Sequence, residues 1–460
     1  MSASEEDRVI IEAGYKPQLS RRLGFFSSFA ISFSYMSVLT GIFANYGFVL
    51  GKAGPFGYWT WLLVAAGHTL TALVFAEMAG RMPLTGCGYN WNSRLANPAV
   101  GWFAGWMALF AYAVGVSAVT ATLFPALHSL LGFDLDARSA HILGIGLVLL
   151  QALINIYGVR VAAYINLAAV GAEVAALIVF GLLIAAVVLI KGHPNFDLLT
   201  TIPATPRPYL PAFLMSCLLC SWTLLGFEGP ADISEETINA KNIAPKGIIH
   251  AVLWCSLLGF AFVMIMTLAI PDVASITAAS DPASAIVAAS LGGGAAKIFL
   301  VLVLVSMFAC SLVNMTGASR VLFAMSRDGR FIGASQFRKV SAHKVPGNAI
   351  WLVAAVAGFF LWIADSATAL YGAGAVLFAL FYLTTVASFA AGSEKLPKGG
   401  GFSLGRWHWP VVILAALWLI VEIGILTIPA EFHDVAMATG GVLIVGIALY
   451  LIVGKARKPA

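Results

Sequence analysis

A carboxylic acid lies inside a helix-breaking stretch, Gly226-Phe227-Glu228-Gly229-Pro230-Ala231, in the middle of an otherwise apolar segment. Glycine and proline interrupt helices, and the unwound backbone exposes N–H and C=O groups that can bind the charged ends of a ligand. A carboxylate in apolar surroundings is costly unless it is paired or hydrated, and its charge favours a cation. Asp232 follows four residues later. We interpret Gly226, Phe227, Glu228 and Asp232 as a candidate site for an ammonium or quaternary amine. The alternative is a structural role for both carboxyl groups.

A second interruption lies near the N-terminus, at Ser37-Val38-Leu39-Thr40-Gly41-Ile42. Exposed N–H groups around Ser37, Thr40 and Gly41 would suit a carboxylate or hydroxyl, and Gly41 tolerates backbone conformations that other residues avoid. The alternative for Gly41 is a helix-packing glycine. Two broken segments in corresponding halves of a chain are the sequence sign of a secondary transporter with its substrate site at the membrane midplane.

Aromatic side chains flank both interruptions. Tyr35 precedes the first, and Phe227 stands between Gly226 and Glu228. Aromatic faces attract ammonium and quaternary ammonium groups by cation–π interaction, which is worth about 2 kcal/mol when the pair is desolvated. We interpret Tyr35 as a substrate contact and Phe227 as a substrate contact and gate. Three tryptophans are candidate gate residues: Trp102, Trp106 and Trp222.

Three acidic residues lie in apolar segments in which we expect no deep Lys or Arg: Glu173, Glu228 and Glu422. A carboxyl group in such a place favours its protonated form and can carry a proton. We predict that Glu173 is a coupling group and favour protons over sodium, while Glu422 is interpreted as structural or as part of an oligomer interface. The alternative is a sodium site at Ser311 and Asn314, which lie three residues apart on one helix face, although such groups also tie membrane helices together.

Charged residues near the ends of the apolar segments predict a network of ion pairs. Such a network would form a cytoplasmic gate and would bias an equilibrium between two conformations of similar free energy. Its expected members are Arg320, Arg327, Asp328 and Arg330, with Glu77, Arg81, Glu235 and Glu236 on the same side.

The composition is that of an integral membrane protein. The chain has 460 residues, of which 60% are hydrophobic and 10% charged, whereas soluble domains carry about 25% charged residues. Its length suits about twelve membrane helices of about 20 residues each. The predicted spans, numbered 1 to 12, cover residues 23–50, 56–82, 99–130, 140–158, 162–190, 209–236, 246–270, 294–327, 347–364, 367–391, 409–429 and 434–454.

Basic residues predict the orientation. Placing both termini in the cytoplasm puts every Lys and Arg on the cytoplasmic side except Lys52, Arg138, Lys191, Arg207 and Lys297, as the positive-inside rule requires. The polar first 22 residues lack the apolar core of a secretory signal, so we expect span 1 to direct insertion. The predicted location is the inner or plasma membrane of the cell, crossed many times. The net charge of +5 follows from this topology and does not indicate nucleic acid as a partner.

The predicted organisation is a pair of inverted repeats. A cytoplasmic tail (1–22) precedes the first repeat of spans 1–5 (23–190), an external loop (191–208), the second repeat of spans 6–10 (209–391), spans 11 and 12 (392–454) and a cytoplasmic tail (455–460). An odd number of helices per repeat forces the second copy into the opposite orientation. Segment 271–293 is predicted to form a short external helix that acts as a lid. No G-x-x-x-x-G-K-[ST] motif occurs, so we do not expect this chain to use ATP directly.

Four motifs, in order along residues 23–330, together resemble the amino acid–polyamine–organocation superfamily. They are Leu23-Gly24-Phe25-Phe26 with Ser37 to Phe43 and Gly54-Pro55; Glu77 to Tyr89 with Asn97-Pro98-Ala99-Val100-Gly101-Trp102; Gly226-Phe227-Glu228 with Ser234-Glu235-Glu236-Thr237 and Ala244 to Ile248; and Ala318-Ser319-Arg320 running to Gly329. The Ser-Val-Leu-Thr-Gly and Ser-Glu-Glu-Thr forms look most like the branch of choline, ethanolamine, polyamine and GABA-type amino acid permeases.

The resemblance implies a twelve-helix fold with a leucine-transporter-type core, in which helices 1 and 6 are broken and two helices are appended. Two positions depart from the superfamily pattern. Leu39 stands where many members have a glycine, which would crowd a carboxylate pocket. Glu173 stands where many sodium-independent members carry a lysine, so the usual coupling assignment does not transfer.

The sequence therefore predicts an all-α membrane protein that imports a small organic amine or amino acid by alternating access. We favour proton coupling and cationic amines such as choline, ethanolamine or a polyamine. The expected partners are this substrate and the bilayer, the chain being a monomer or homodimer, and we expect no cofactor beyond a coupling proton or sodium ion. Alternatives are sodium-coupled or exchange transport of a neutral amino acid or GABA and, more remotely, a channel, although a channel does not need two broken helices around a closed site. An enzyme is not expected, because the eight histidines form no catalytic or metal motif.

Overall fold

The computed structural model describes residues 5–132, 135–157, 159–190, 195–203, 208–364, 366–397, 399 and 401–454, and the regular elements among them are helices. A helix satisfies its backbone N–H and C=O groups within one segment, which a chain inside a bilayer must do. The predicted all-α membrane class is therefore confirmed. The predicted tail 455–460 and much of the predicted loop 191–208 lie outside the described residues.

The helices are numbered here in chain order. Those up to residue 203 are α1 (Glu5–Glu12), α2 (Phe25–Met36), α3 (Val38–Ala53), α4 (Thr60–Arg81), α5 (Cys87–Leu95), α6 (Pro98–Leu131), α7 (Ala137–Tyr157), α8 (Val159–Ile190) and α9 (Asp197–Thr200). Those from residue 208 are α10 (Tyr209–Met215), α11 (Leu218–Thr223), α12 (Gly229–Asp232), α13 (Ala240–Leu268), α14 (Val273–Ala278), α15 (Pro282–Leu291), α16 (Gly293–Arg327), α17 (Ala334–Phe337), α18 (Gly347–Ile363), α19 (Ala367–Gly392), α20 (His408–Ile425) and α21 (His433–Leu449).

Within the described residues, 10 helical segments are long and apolar enough to cross a membrane. Apolar side chains on their outer surfaces, such as Leu182, Ile190, Ile420 and Ile444, are exposed, as expected for helices that face lipid. Span 6 is broken into α10, α11 and α12, and span 9 is the 17-residue α18. All twelve predicted spans therefore coincide with helical segments.

Helices α1 and α5 were not predicted. Helix α5 is short and polar, with Asn90 and Asn92 buried against its neighbours, so a search for apolar spans passes over it. Helix α13 begins at Ala240, six residues before the predicted start of span 7. Polar residues in its first turns, outside the apolar stretch, account for this difference.

The break in span 1 is narrower than the sequence indicates. Helix α2 ends at Met36, α3 begins at Val38, and Ser37 alone lies between them with a φ of 25°. Thr40 and Gly41 were expected in unwound backbone, but they belong to the first turn of α3, where the N–H of Gly41 donates to the Ser37 carbonyl at 3.0 Å. A side-chain carboxyl group, that of Glu173, accepts the N–H of Leu39 that the break frees, so the helix can restart at once.

The break in span 6 is wider. Helix α11 ends at Thr223 and α12 begins at Gly229, so residues 224–228 carry no regular helix. Gly226 has a φ of 84°, which lies in the left-handed region that glycine tolerates. A Cβ added to Gly226 would lie 2.5 Å from the Cβ of Tyr35, so the broken segment touches span 1 at a point that accepts no side chain.

The residues that follow α12 close one end of the bundle together with the N-terminal segment. The N–H groups of Arg22 and Leu23 donate to the Glu236 carbonyl at 2.9 and 3.0 Å, and the N–H of Ile238 donates to the Leu23 carbonyl at 2.9 Å. We call this end, formed by residues 15–23, 82–90, 234–239 and 320–330, the N-terminal face.

Segment 271–293 forms two helices, α14 and α15, rather than the single short helix that was predicted. Asp272 and Asp281 are their N-caps and accept the backbone N–H groups of Ser275 and Ser284 at 2.7 and 3.2 Å, which stabilises the helix starts. Asp281 is 7% exposed, and burial raises the pKa of its carboxyl group to about 6. The role of segment 271–293 as a lid stays a prediction.

Candidate functional site

Two tyrosines hold the Glu228 carboxyl group at the break of span 6. The hydroxyl of Tyr112 on α6 lies 2.5 Å from Oε1, and the hydroxyl of Tyr382 on α19 lies 2.6 Å from Oε2. The same Tyr112 hydroxyl lies 2.7 Å from Oδ2 of Asp232. Glu228 is 0% and Asp232 1% exposed, so neither reaches solvent in this conformation. Three segments that are far apart in sequence thus converge on one acidic centre.

Polar groups without partners remain at this centre. Within the described part of the chain, Oδ1 of Asp232 and the hydroxyl of Tyr35 have no hydrogen-bond partner, although both are buried. The ring of Tyr35 lies 5.2 Å from that of Tyr112. Buried polar atoms are nearly always satisfied in proteins, so the centre has spare hydrogen-bonding capacity and aromatic faces beside two carboxyl groups.

The predicted contact and gate residue Phe227 is packed into the same centre. Its ring lies 4.7 Å from Tyr382 and 5.5 Å from Phe75, and its carbonyl accepts the Ser32 hydroxyl at 2.8 Å. The N–H of Gly226 donates to the Tyr382 hydroxyl at 2.9 Å. Side chains therefore already bind two of the backbone groups that the break exposes.

Trp222 lies on α11, directly before the broken segment. Its ring is 4.6 Å from that of Tyr371. A Cβ at Gly374 would approach this ring to 2.8 Å, and one at Gly115 to 3.4 Å. Gly374 therefore makes room for the indole, which packs between α6 and α19.

The structure places the predicted gate residues Trp102 and Trp106 elsewhere. Their rings stack 5.3 Å apart, and their indole N–H groups donate to the carbonyls of Arg330 and Val442 at 2.8 and 2.9 Å. These contacts join α6 to the segment after α16 and to α21. The structure gives neither tryptophan a contact with Glu228 or Asp232, so their gate role stays a prediction.

Glu173 lies at the break of span 1. Its Oε1 accepts the backbone N–H of Leu39 at 3.0 Å and lies 3.3 Å from the Ser37 hydroxyl. That hydroxyl is in turn 2.8 Å from the hydroxyl of Ser306 on α16 and 2.6 Å from that of Thr40. A carboxyl group on α8 thus occupies the N-terminus of α3, where helix geometry favours negative charge.

Gly41 is explained by packing. A Cβ at this position would lie 1.9 Å from the Thr223 hydroxyl oxygen, so α3 and α11 approach more closely here than any other residue type would permit. The alternative interpretation of a helix-packing glycine therefore accounts for its presence. The structure shows no free N–H at Gly41 for a ligand, since this group is bonded within α3.

The side chains of Ser311 and Asn314 bind groups outside the break of span 1. The Ser311 hydroxyl donates to Oε1 of Gln151 on α7 at 2.9 Å, and the Asn314 amide donates to the Cys310 carbonyl at 2.8 Å. On α16, the hydroxyl of Ser306 reaches the Ser37 hydroxyl at the break. Side-chain oxygens that could coordinate a cation there include those of Ser37, Thr40, Ser306 and Glu173.

Glu422 is internal. It is 1% exposed, and its two carboxyl oxygens lie 2.9 and 3.1 Å from Nε2 of His68 on α4. The structural role is the one that the geometry supports. The oligomer interface, the other of its two expected roles, stays a prediction.

Ion pairs close the N-terminal face. Arg320 binds Glu236 at 2.9 Å, and Arg327 binds Glu235 at 3.0 Å. Arg320 is 1% exposed, which corrects the expectation that the apolar spans hold no buried cation. Glu77 pairs instead with Arg81 of its own helix. The predicted network is therefore present for Arg320, Arg327, Glu235 and Glu236.

The N-terminal segment adds an aromatic contact to this network. The guanidinium of Arg327 lies 3.6 Å from the ring centroid of Tyr15, and the Tyr15 hydroxyl donates to Asp328 at 3.1 Å. Burial, and next the negative charge of Asp328, raise the pKa of Tyr15, so it keeps its proton and remains a donor.

Comparison with known proteins shows which family this chain belongs to. Residues 23–453, almost the whole chain, match the model of a family described as amino acid permease. This chain belongs to the amino acid permease family. The superfamily identified from the sequence motifs is thereby confirmed.

Similar proteins align with this chain along most of their length. Amino-acid permease BAT1 of Arabidopsis thaliana is 27% identical over 92% of this chain and 88% of its own. The branched-chain amino acid permease BcaP of Lactococcus lactis is 28% identical over 92% of both chains. The thiamine transporter thi9 of Schizosaccharomyces pombe is 23% identical over 98% of this chain and 86% of its own.

Membership of the amino acid permease family establishes a multi-pass membrane transporter that is not an enzyme. Sequence reasoning located Glu228, Asp232 and Glu173 but missed Tyr112, Tyr382 and Ser306. A lone hydroxyl in an apolar run, as in Leu304-Val305-Ser306-Met307, is a signal that could have drawn attention to Ser306, whereas the two tyrosines carry no such signal.

Proposed function

We propose that this permease is a secondary active transporter that imports a small substrate with a cationic nitrogen, an organic amine or an amino acid. A proton gradient would drive the import. The observation that carries the proposal is the acidic centre of Glu228 and Asp232 at the break of span 6. Both groups are buried, and Arg320, whose charge acts on Asp232, is already paired with Glu236. A cationic substrate would therefore supply a direct partner for the two carboxyl groups.

The aromatic lining supports an ammonium or quaternary amine. Tyr35 and Tyr112 present rings 5.2 Å apart beside the carboxyl groups, and Phe227 lies on the other side of Tyr382. Such faces attract a desolvated cation by about 2 kcal/mol. In the closed conformation the phenols of Tyr112 and Tyr382 bind Glu228, and an entering ammonium would take over that role.

A substrate without a carboxylate fits the break of span 1 best. Helix N-termini bind carboxylates through their free N–H groups, but the N–H of Leu39 is already bonded to Glu173. A substrate carboxylate would have to compete with this internal one. We therefore favour cationic amines over amino acids as substrates.

A second candidate is a neutral amino acid, or GABA, moved by sodium coupling or exchange. The names of the relatives favour it, since BAT1 is an amino-acid permease and BcaP a branched-chain amino acid permease. The oxygens of Ser37, Ser306 and Glu173 around the break of span 1 also have the hard-ligand character that sodium requires.

We assign coupling to Glu173 because its contacts depend on the break. Movement of α3 would remove the Leu39 N–H from its carboxyl group and change its affinity for a proton. We assign the N-terminal face to the cytoplasm, with both termini there, so that the pairs Arg320–Glu236 and Arg327–Glu235 open when substrate is released inward. Spans 1–5 and 6–10 would act as the two inverted repeats of this cycle.

The test is uptake by purified protein in proteoliposomes, with empty liposomes as the control. Each amino acid is compared with the amine that lacks its carboxylate, for example serine with ethanolamine and leucine with isoamylamine. Accumulation of the amine driven by a proton gradient and abolished by a proton ionophore is expected. Preference for the amino acid would favour the second candidate. Absence of uptake and exchange across amino acids, amines and polyamines would refute both.

A further inference from the structure

Helix α20, one of the two helices outside the repeats, is tied to the break of span 6 through one buried histidine. Nδ1 of His68 lies 3.0 Å from the carbonyl of Leu224, the first residue after α11, and Nε2 lies between the two oxygens of Glu422. His68 is 0% exposed. A single imidazole therefore joins α4, α20 and the segment that carries Glu228.

The hydrogen-bond partners fix the number of protons on this pair. A carbonyl oxygen only accepts, so Nδ1 must carry a hydrogen and donate it to Leu224. Nε2 then faces a carboxyl group, and a hydrogen bond between them needs a second proton, either on Nε2 of an imidazolium or on a neutral Glu422. Without it, the lone pair of Nε2 would face a carboxylate oxygen at 2.9 Å.

We infer that His68 and Glu422 form a proton-binding site whose shared proton locks α20 onto the break of span 6. Loss of that proton replaces a hydrogen bond by repulsion between Nε2 and the carboxylate. The imidazole must then shift, and the bond from Nδ1 to the Leu224 carbonyl is lost with it. Proton occupancy of this site thus controls how firmly the substrate-facing break is held.

Burial disfavours a charged imidazole, whereas the negative charges of Glu422 and Glu228 favour it. Glu228 faces His68 from the broken segment, and the thiols of Cys217 and Cys220 face Glu422 from the α10–α11 region. A negative charge on Glu228 stabilises a positive imidazole. The ring centroid of Trp418 on α20 lies 6.5 Å from that of His68. Gly67 makes room for the Trp418 indole, since a Cβ at Gly67 would lie 2.1 Å from it. Apolar packing keeps water away from the pair.

The test is hydrogen–deuterium exchange of the full chain in nanodiscs, without substrate, from about pH 6 to about pH 9, with rates corrected for intrinsic exchange. In the wild type, protection of peptides covering 218–228 should fall by about tenfold across this range. In Glu422→Gln the amide can donate to Nε2 while Nδ1–H stays on Leu224, so protection should not change with pH. Tyr46→Phe, which removes another buried hydrogen bond, to Thr267, but no titrating acid, should follow the wild type.

Protection that does not depend on pH in the wild type would overturn the inference, even if the variant fails to fold. So would an equal pH dependence in Glu422→Gln. His68→Leu should show the weakly protected pattern at every pH. The measurement involves neither substrate nor transport, so failure of the proposed substrate or coupling would leave its outcome unaffected.

Discussion

Replacing Glu228 by glutamine removes one negative charge from the acidic centre and keeps its shape. The glutamine carbonyl can still accept one of the phenols of Tyr112 and Tyr382, and its amide can donate to the other. These phenols lie 2.5 and 2.6 Å from the carboxyl oxygens in the wild type. The substitution therefore isolates the charge from the packing, which a change to alanine would not do.

The size of the effect follows from the type of bond that is lost. A hydrogen bond from an ammonium to a buried carboxylate contributes about 1.5–3 kcal/mol, which corresponds to about a 10- to 150-fold loss of substrate affinity. Asp232 remains 2.7 Å from the Tyr112 hydroxyl and retains part of the attraction, so we expect the lower half of this range. The unfolding temperature in detergent should change little.

The assay is equilibrium binding and initial uptake rate of the best substrate over a range of pH. Glu394→Gln, at an exposed acid, is the control, because it changes the net charge equally without touching the centre. A folded Glu228→Gln protein with the affinity and pH dependence of the wild type would show that the carboxyl group does not recognise the cation.

Three further outcomes are expected. Glu173→Gln should abolish accumulation driven by a pH gradient but retain exchange of bound substrate, because the amide releases no proton; uptake that follows sodium and ignores the proton gradient would contradict this. The wild type should lose up to about 3 kcal/mol of stability as the pH rises from about 4 to about 7, because the folded protein, with the pKa of Asp281 raised from 3.8 to about 6, holds this proton more tightly than the unfolded chain. Asp281→Asn should not show this loss. Thermal unfolding at each pH measures it, with exposed Asp272→Asn as the control. Gly226→Ala should destabilise the fold by at least about 1–3 kcal/mol because of its positive φ, and further because the added Cβ would lie 2.5 Å from the Cβ of Tyr35. Gly440→Ala, where a Cβ meets nothing within 4 Å, should not destabilise it, and equal unfolding temperatures of the two variants would contradict the assignment.

The helices and the two breaks could be predicted from the sequence because lipid imposes simple rules. Long apolar segments must be helices, and Gly226, Gly229 and Pro230 cannot continue one cleanly. The width of each break could not be predicted. Whether the chain restarts at Val38 or after Ile42 depends on partners such as Glu173, which is 134 residues from Leu39 in sequence.

The partners of the acids were also beyond sequence reasoning. Tyr112, Tyr382 and His68 lie in apolar helices where a tyrosine or histidine is unremarkable, and their roles arise from packing between helices. Ser311 and Ser306 are equally suited to a helix face near span 1. Only the relative depth of α16 and α3 decides that Ser306 meets Ser37 while Ser311 meets Gln151.

The hydroxyl of Tyr112 has one hydrogen but touches two carboxyl groups, at 2.5 and 2.7 Å. One of these contacts therefore requires a hydrogen on a carboxyl group, which donates to the phenol oxygen. The closed centre thus carries one negative charge fewer than two free carboxylates would. A monovalent cation that enters as this proton leaves changes nothing in the local electrical balance. The membrane voltage would then affect the coupling step and the reorientation of the protein, but would have little effect on substrate binding itself.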